Sequence, residues 1–167
     1  MNKNPANQPS NWRWHIDEVF VKINGKTYYL WRAVDHEGTV IDCFVSKRRD
    51  KKAALKVLKK LISRHGQPQE IVTDKLPSYK AALKDINSAH LQNTQRYKNN
   101  QVENSHLHFR RRERGMNKFR SMKALQKFTS IQSTFQNHFN HQRHLEKRET
   151  FKILRQNSVN SWKEIYA

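Results

Sequence analysis

The stretch WRWHIDEVFVKI (12–23), closed by Asn24-Gly25 and followed by KTYYLWRAV (26–34), decides how the rest of the chain reads. Its β-branched and aromatic residues favour strand. Asn-Gly is the strongest short hairpin signal, because both residues tolerate the left-handed backbone of a two-residue turn. A DHEG turn (35–38) leads to a third strand, TVIDCFVS (39–46), so this part of the chain predicts an antiparallel meander. On the first strand His15, Asp17, Val19, Val21 and Ile23 share one face, and Trp14, Ile16, Glu18, Phe20 and Lys22 the other. Asp17 therefore interrupts an otherwise apolar line.

Beyond the meander the period changes from two to that of a helix. Asp50 is placed to cap KKAALKVLKKLISRH, with Ala54, Leu55, Leu58, Leu61 and Ile62 at helical spacing and Gly66 as its stop. After Pro68 comes a short apolar strand, EIVTD (70–74), and Pro77 opens a second helix, PSYKAALKDI, from a position where a first turn tolerates proline. AHLQNT (89–94) is a weaker strand. From Gln101 the chain reads as helical with a break near Gly115, and a further amphipathic helix runs from Met122 to about Phe139 through Leu125, Phe128, Ile131 and Phe135. The order βββαβαβα predicts an α/β fold, a mixed five-stranded sheet with flanking helices, which is the order of the ribonuclease H-like fold. A fold alone licenses no function.

The charge points to a class of partner. The chain of 167 residues carries 33 Lys+Arg against 14 Asp+Glu, a net charge of +19. Residues 104–167 hold 14 basic residues and 4 acids, whereas residues 1–103 hold 19 and 10, so the acids are concentrated in the less basic part. A globular chain so basic sits against a polyanion, DNA or RNA first, although a basic surface also serves solubility alone. The 17 aromatic residues argue for a packed core rather than disorder. No run approaches the roughly 20 apolar residues of a membrane span, and MNKNPANQPSNW (1–12) lacks the apolar stretch of a signal peptide. A single cysteine, Cys43, excludes an internal disulfide framework and a Cys-based zinc site, and fits a reducing cytoplasm.

Three acids stand where chemistry needs them. An isolated carboxylate such as Asp17 on an apolar strand face wants a cation or hydrogen-bond donors, because its desolvation is costly. Asp74 ends the strand IVT and precedes a turn into a helix, the place where α/β proteins put ligands. Glu103 opens the helix QVENSHLHFRRRERGM, with His106 and Arg110 on its face at i+3 and i+7. Each has an ordinary alternative: an acid bonded at a strand end, a turn residue, a favourable first-turn acid. Together they can converge on one sheet edge and hold Mg²⁺, which takes few carboxylates plus water and phosphate. Two such ions about 4 Å apart serve an in-line phosphoryl displacement.

RRRERGMNKFR (110–120) packs six basic residues around one acid and reads as a DNA-backbone track or as a solvated helix face. KRRDKK (47–52) reads either as a second backbone contact or as the exposed start of a helix. His138, His141 and His144 drift around a helix without a Cys or acid to join them, so they read as exposed or DNA-facing rather than as zinc ligands. Cys43 alternates with apolar residues and reads as core; Trp12, Trp14 and Trp31 read as core or rim rather than as platforms for stacked bases. Asp35 reads as a turn residue and Asp42 as a reserve candidate for the acid site.

The blocks WRWHIDEVFVKINGKTYYLWRAVDHEG (12–38), IVTDKLPSY (71–79), NNQVENSHLHFRRRERGMNKFRS (99–121) and HFNHQRHLEKRETFK (138–152) resemble the catalytic domain of DDE transposases of bacterial insertion sequences, within them the insertion sequence six family. The resemblance runs from about Trp12 to the C-terminus. It implies Asp17, Asp74 and Glu103 as the catalytic, metal-holding acids and Arg110 as the basic residue seven positions after the third. It further implies two Mg²⁺ ions with Mn²⁺ as substitute, and double-stranded DNA, both element ends and target, as substrate. DNA contacts are expected from His106, Lys75, Arg110, Arg111, Arg112, Arg114, Lys118 and Arg120, and the resemblance implies action as a homo-oligomer on DNA in a bacterial cytoplasm, at the nucleoid. The 28 residues between Asp74 and Glu103 are fewer than in many family members. The family's helix-turn-helix for element ends would precede residue 12, so the sequence reads as a transposase truncated at its N-terminus. The expected organisation is a flexible lead-in (1–11), a catalytic core (12–145) and a helical tail packed on it (146–167). A decayed transposase that only binds DNA, and a ribonuclease H-like nuclease that cuts without joining, are the alternatives.

Overall fold

The computed structural model describes residues 13–95, 100–116, 118–141 and 146–165; the lead-in 1–11, Trp12 and His144 lie outside them. Three strands, β1 (Arg13–Ile23), β2 (Lys26–Asp35) and β3 (Val40–Ser46), form the meander. Asn24 and Gly25 both take positive φ, 50° and 76°, as the tight turn requires. Helix α1 (Lys51–His65), strand β4 (Glu70–Thr73), helix α2 (Pro77–Asp85), strand β5 (Gln92–Asn93) and helices α3 (Asn100–Gly115), α4 (Met122–Phe139) and α5 (Arg148–Ile165) follow. The sheet order is β3-β2-β1-β4-β5, with the meander antiparallel and β1, β4 and β5 parallel.

Alternation along the strands divides two cores. Trp14, Ile16, Trp31, Ala33 and Phe44 pack against Ala54, Val57, Leu58 and Leu61 of α1 and Tyr79, Ala82 and Leu83 of α2. On the other face Val19, Val21, Leu30, Val34 and Cys43 meet Val102 and Phe109 of α3, Phe119, and Leu125 of α4. Asp50 caps α1 by accepting from the Ala53 amide at 2.8 Å. Asp50→Ala is expected to lower stability by about 1 kcal/mol in a denaturant titration.

Three expectations are corrected. AHLQNT is mostly not strand: Ala89–Leu91 is a 3₁₀ turn and only Gln92 and Asn93 pair, with Ile71 and Val72. The segment has no β-branched residue before Thr94, and its partner strand has only four residues. His138 and His141 are not exposed: both are half-buried and hydrogen-bonded. His138 Nε2 donates to the Ser158 carbonyl at 2.7 Å, and His141 Nε2 lies 2.8 Å from Ser158 Oγ, which holds α5 against α4 together with Trp162 stacked edge-on to Phe135. Asp42 pairs with Arg64 at 2.7 Å on the α1 face and takes no part in the acid cluster. Asp35 is the turn residue expected, accepting from the amides of Glu37 and Thr39. No helix among the described residues is long and apolar enough to cross a membrane.

Candidate active site

The site arises because β1 outruns β4. Their last pair is Ile16 with Thr73, so Asp17 and Glu18 lie one and two residues past the end of β4 and Asp74 is the residue that follows it. There the strand neighbour on that side is gone, and side chains from both faces of β1 can turn around the open edge. Oxygens of Asp17, Glu18 and Asp74 all lie within 4.8 Å of one another. Asp17, half-buried, has its carboxyl pushed up to about 7, first by burial and then by the charges of Glu18 and Asp74, against the opposing hydrogen bond from the Glu18 backbone.

Asp74 is held at both oxygens. Its Oδ1 accepts from the Leu76 amide at 3.0 Å, an Asx turn that starts α2, and its Oδ2 accepts from Arg49 Nη2 at 3.2 Å. Turn residue and site residue are thus the same group. Glu18 has a fully buried side chain; Arg49 Nε donates to its Oε1 at 2.7 Å and the Tyr79 hydroxyl to its Oε2 at 3.1 Å.

Helix α3 supplies the remaining wall. Val102, Ser105 and Phe109 face the sheet, which turns His106 toward β1, its Nδ1 3.9 Å from Asp17 Oδ2. Burial, then the charges of Arg32 and Arg110, pull the His106 imidazole down to about 3, so it is neutral at neutral pH and the approach to Asp17 is not an ion pair. Its buried Nε2 has no hydrogen-bond partner among the described residues. Glu103 stands one turn before His106, exposed, on the stripe that borders Asp17. It lies outside the close trio, whose third member is Glu18.

The basic residues divide. Arg111, Arg112, Arg114, Lys118, Arg120 and Lys75 are exposed. Arg110 is tied down, with Nη2 donating to the Phe20 carbonyl at 2.7 Å and Nη1 to Glu113 at 2.5 Å. Three residues important to the site escaped the sequence reading. Glu18 was assigned to the opposite strand face from Asp17, although an acid on that apolar face carried the same signal as Asp17. Arg49 was one of a basic run. Arg32, directly across β2 from Asp17, is wholly buried, bonded to Ser105 Oγ, Gln136 Oε1 and Cys43 Sγ, and so pins α3 and α4 to β2.

An all-carboxylate donor set suits a hard divalent cation rather than zinc or copper. Residues 11–142 match the family model described as a DDE domain, of the IS240 transposase type. The chain belongs to the DDE transposase family. This DDE domain is 38% identical over 107 residues to the transposase for the insertion sequence-like element IS431mec of Staphylococcus aureus, covering 61% of the chain and 48% of the relative. The same identity and coverage hold for the S. aureus transposase for insertion sequence element IS257 in transposon Tn4003. Both agree with the insertion sequence six resemblance. The chain spans about half the length of the curated relatives it matches.

Among solved structures the DDE domain superposes on the simian T-cell lymphotropic virus intasome, in complex with a PP2A regulatory subunit, with TM-score 0.61 and 22% identity over 81% of this chain and 51% of that one. It also superposes on the HTLV-2 integrase catalytic core in complex with magnesium, with TM-score 0.50 and 22% identity over 59% of this chain and 66% of that one. These likenesses establish the ribonuclease H-like fold expected from the element order.

Proposed function

We propose that this chain is the catalytic domain of an insertion-sequence transposase, cutting DNA at element ends and joining the freed 3′-hydroxyls to target DNA. The reading rests on one observation above all: Asp17 and Asp74 meet where β1 outruns β4, inside a DDE-family domain. Asp17, Asp74 and Glu103 would hold two Mg²⁺ ions, with Mn²⁺ as substitute; the magnesium in the HTLV-2 integrase core supports the choice of metal. Metal held there would supply neutralisation of phosphate charge and activation of water or a 3′-hydroxyl as nucleophile. With cations bound, Asp17 would stay ionised despite its crowding. His106, neutral, offers a proton-bearing or lone-pair nitrogen beside Asp17 without adding charge. Arg111, Arg112, Arg114, Lys118, Arg120 and Lys75 grip DNA phosphates, and Arg110 fixes α3 to β1 beside them. In this reading residues 12–145 form the core and 146–167 a tail packed on it, working as a homo-oligomer on DNA in the bacterial cytoplasm.

The test is a joining assay with Mg²⁺, a duplex oligonucleotide bearing a free 3′-hydroxyl, and a plasmid target. Wild type is expected to give a covalently joined product. Glu103→Gln is expected to lower joining by roughly 10²–10³-fold or more, since metal-held charge stabilisation is worth several kcal/mol, while DNA binding at fixed salt is unchanged. Equal joining by the variant removes Glu103 from the site. Cleavage without joining would favour the nuclease alternative, and salt-dependent binding with neither reaction the decayed one.

A further inference from the structure

Glu18 sits in the acid trio by distance, yet neither of its oxygens is free. Oε1 is taken by Arg49 at 2.7 Å, Oε2 by Tyr79 at 3.1 Å, and the side chain is fully buried. From this anchor the same guanidinium reaches across to Asp74 Oδ2 at 3.2 Å. Arg49 is itself placed from two sides: its guanidinium lies over the Phe20 ring, 5.2 Å from the centroid, and the next residue, Asp50, caps α1 and so fixes the backbone.

We infer that Glu18 and Arg49 are positioning residues for the metal site: Glu18 is not a ligand but the buried anchor of an arginine fork that sets the rotamer of Asp74. The inference rests on the metal-binding reading of Asp17 and Asp74. A planar guanidinium can bridge two carboxylates at fixed spacing, whereas an ammonium is a point charge that meets one at a time. With Leu76 holding Oδ1 and Arg49 holding Oδ2, Asp74 is immobilised before any cation arrives, and each oxygen keeps a second lone pair for it. Groups that orient ligating carboxylates in this way change metal affinity by about 10–100-fold when altered.

Two variants separate positioning from plain electrostatics. Arg49→Lys keeps the charge opposite buried Glu18 and loses the fork. The double variant Glu18→Gln with Arg49→Gln removes one charge of each sign, leaving the net charge of the cluster unchanged. Mn²⁺ binding is measured by paramagnetic resonance, and folding by thermal melting. Both variants are expected to melt as cooperative folded proteins and to bind Mn²⁺ about tenfold more weakly than wild type. Wild-type Mn²⁺ affinity in both would overturn the inference. A third variant, Glu18→Gln alone, would overturn it as well if it lost more than 100-fold beside an unaffected Arg49→Lys, since Glu18 would then be a ligand. Asp74→Asn is the control: if it binds Mn²⁺ like wild type, the metal-site reading itself fails, whereas loss of binding there with both other variants unaffected sinks only the positioning role.

Discussion

Thermal unfolding of the metal-free protein is expected to move to lower temperature as pH rises from 5 to 8, and Asp17→Asn to lose most of that dependence. The sign follows from linkage. The Asp17 carboxyl is raised from 3.8 to about 7 in the folded protein, first by burial and then by Glu18 and Asp74. Between those values the folded state holds a proton that the unfolded state releases, so stability falls as pH climbs and the full penalty is present above pH 7. The shift corresponds to a ceiling of roughly 4 kcal/mol. For a domain of this size that is about 10 °C in melting temperature. With a chelator present, Asp17→Asn should melt about that much above wild type at pH 8 and level with it near pH 4. Mg²⁺ should recover part of the wild-type loss at pH 8, because a cation that binds only the folded state stabilises it. Parallel pH profiles for the two proteins would mean that Asp17 ionises freely.

Truncating Phe109 should strike the other half of the site. Its ring is fully buried, stacked on Phe119 with centroids 6.2 Å apart and tilted against Phe128 at 6.4 Å. That cluster joins the middle of α3 to α4 and to the sheet face carrying Val19 and Val21. Removing a buried phenylalanine costs about 3–5 kcal/mol, a large share of the stability of an ordinary domain, and calorimetry of Phe109→Ala should show a melting point lower by about 10 °C. Because Glu103 and His106 ride on α3, joining should collapse even at temperatures where the sheet still holds Asp17 and Asp74 together. A fall of under about 3 °C would show that α3 is secured elsewhere, Arg32 and Arg110 being the obvious alternatives.

What could be read from the sequence was local. Asn24-Gly25, the Asp50 cap, Pro77 and the helix Met122–Phe139 act within a turn or a few helical repeats, and the structure bears each out, although of the stripe expected on that helix Ile131 and Phe135 stay exposed while Thr129 and Ser133 are buried beside Leu125. Asp17 and Asp74 stood out for a related reason, since an acid in an apolar strand or at a strand end violates the pattern around it. Glu18 violated it too, but alternation assigns it to the far face, and only the pairing of β1 with β4, 57 residues apart, reveals that the edge is open there. The same holds for Arg49, whose bridge spans 31 residues to Glu18 and 25 to Asp74. His138 was misjudged because its partner, Ser158, lies one helix further on. Long-range register is not written in periodicity.

The early end of β4 has one more consequence, for how the molecule behaves in company. From Asp17 to Ile23 strand β1 has β2 on one side and no strand among the described residues on the other. Unpaired strand backbone is a template on which a second chain can add itself, the usual start of aggregation. Here the guanidinium of Arg110 lies across that stretch and takes the Phe20 carbonyl, with the charged Lys22 close by along the strand. The gap that lets three carboxylates gather is therefore also a place where copies of the protein could zip together, and a single arginine guards it. Solubility and the opening for chemistry therefore meet on the same stretch of one strand.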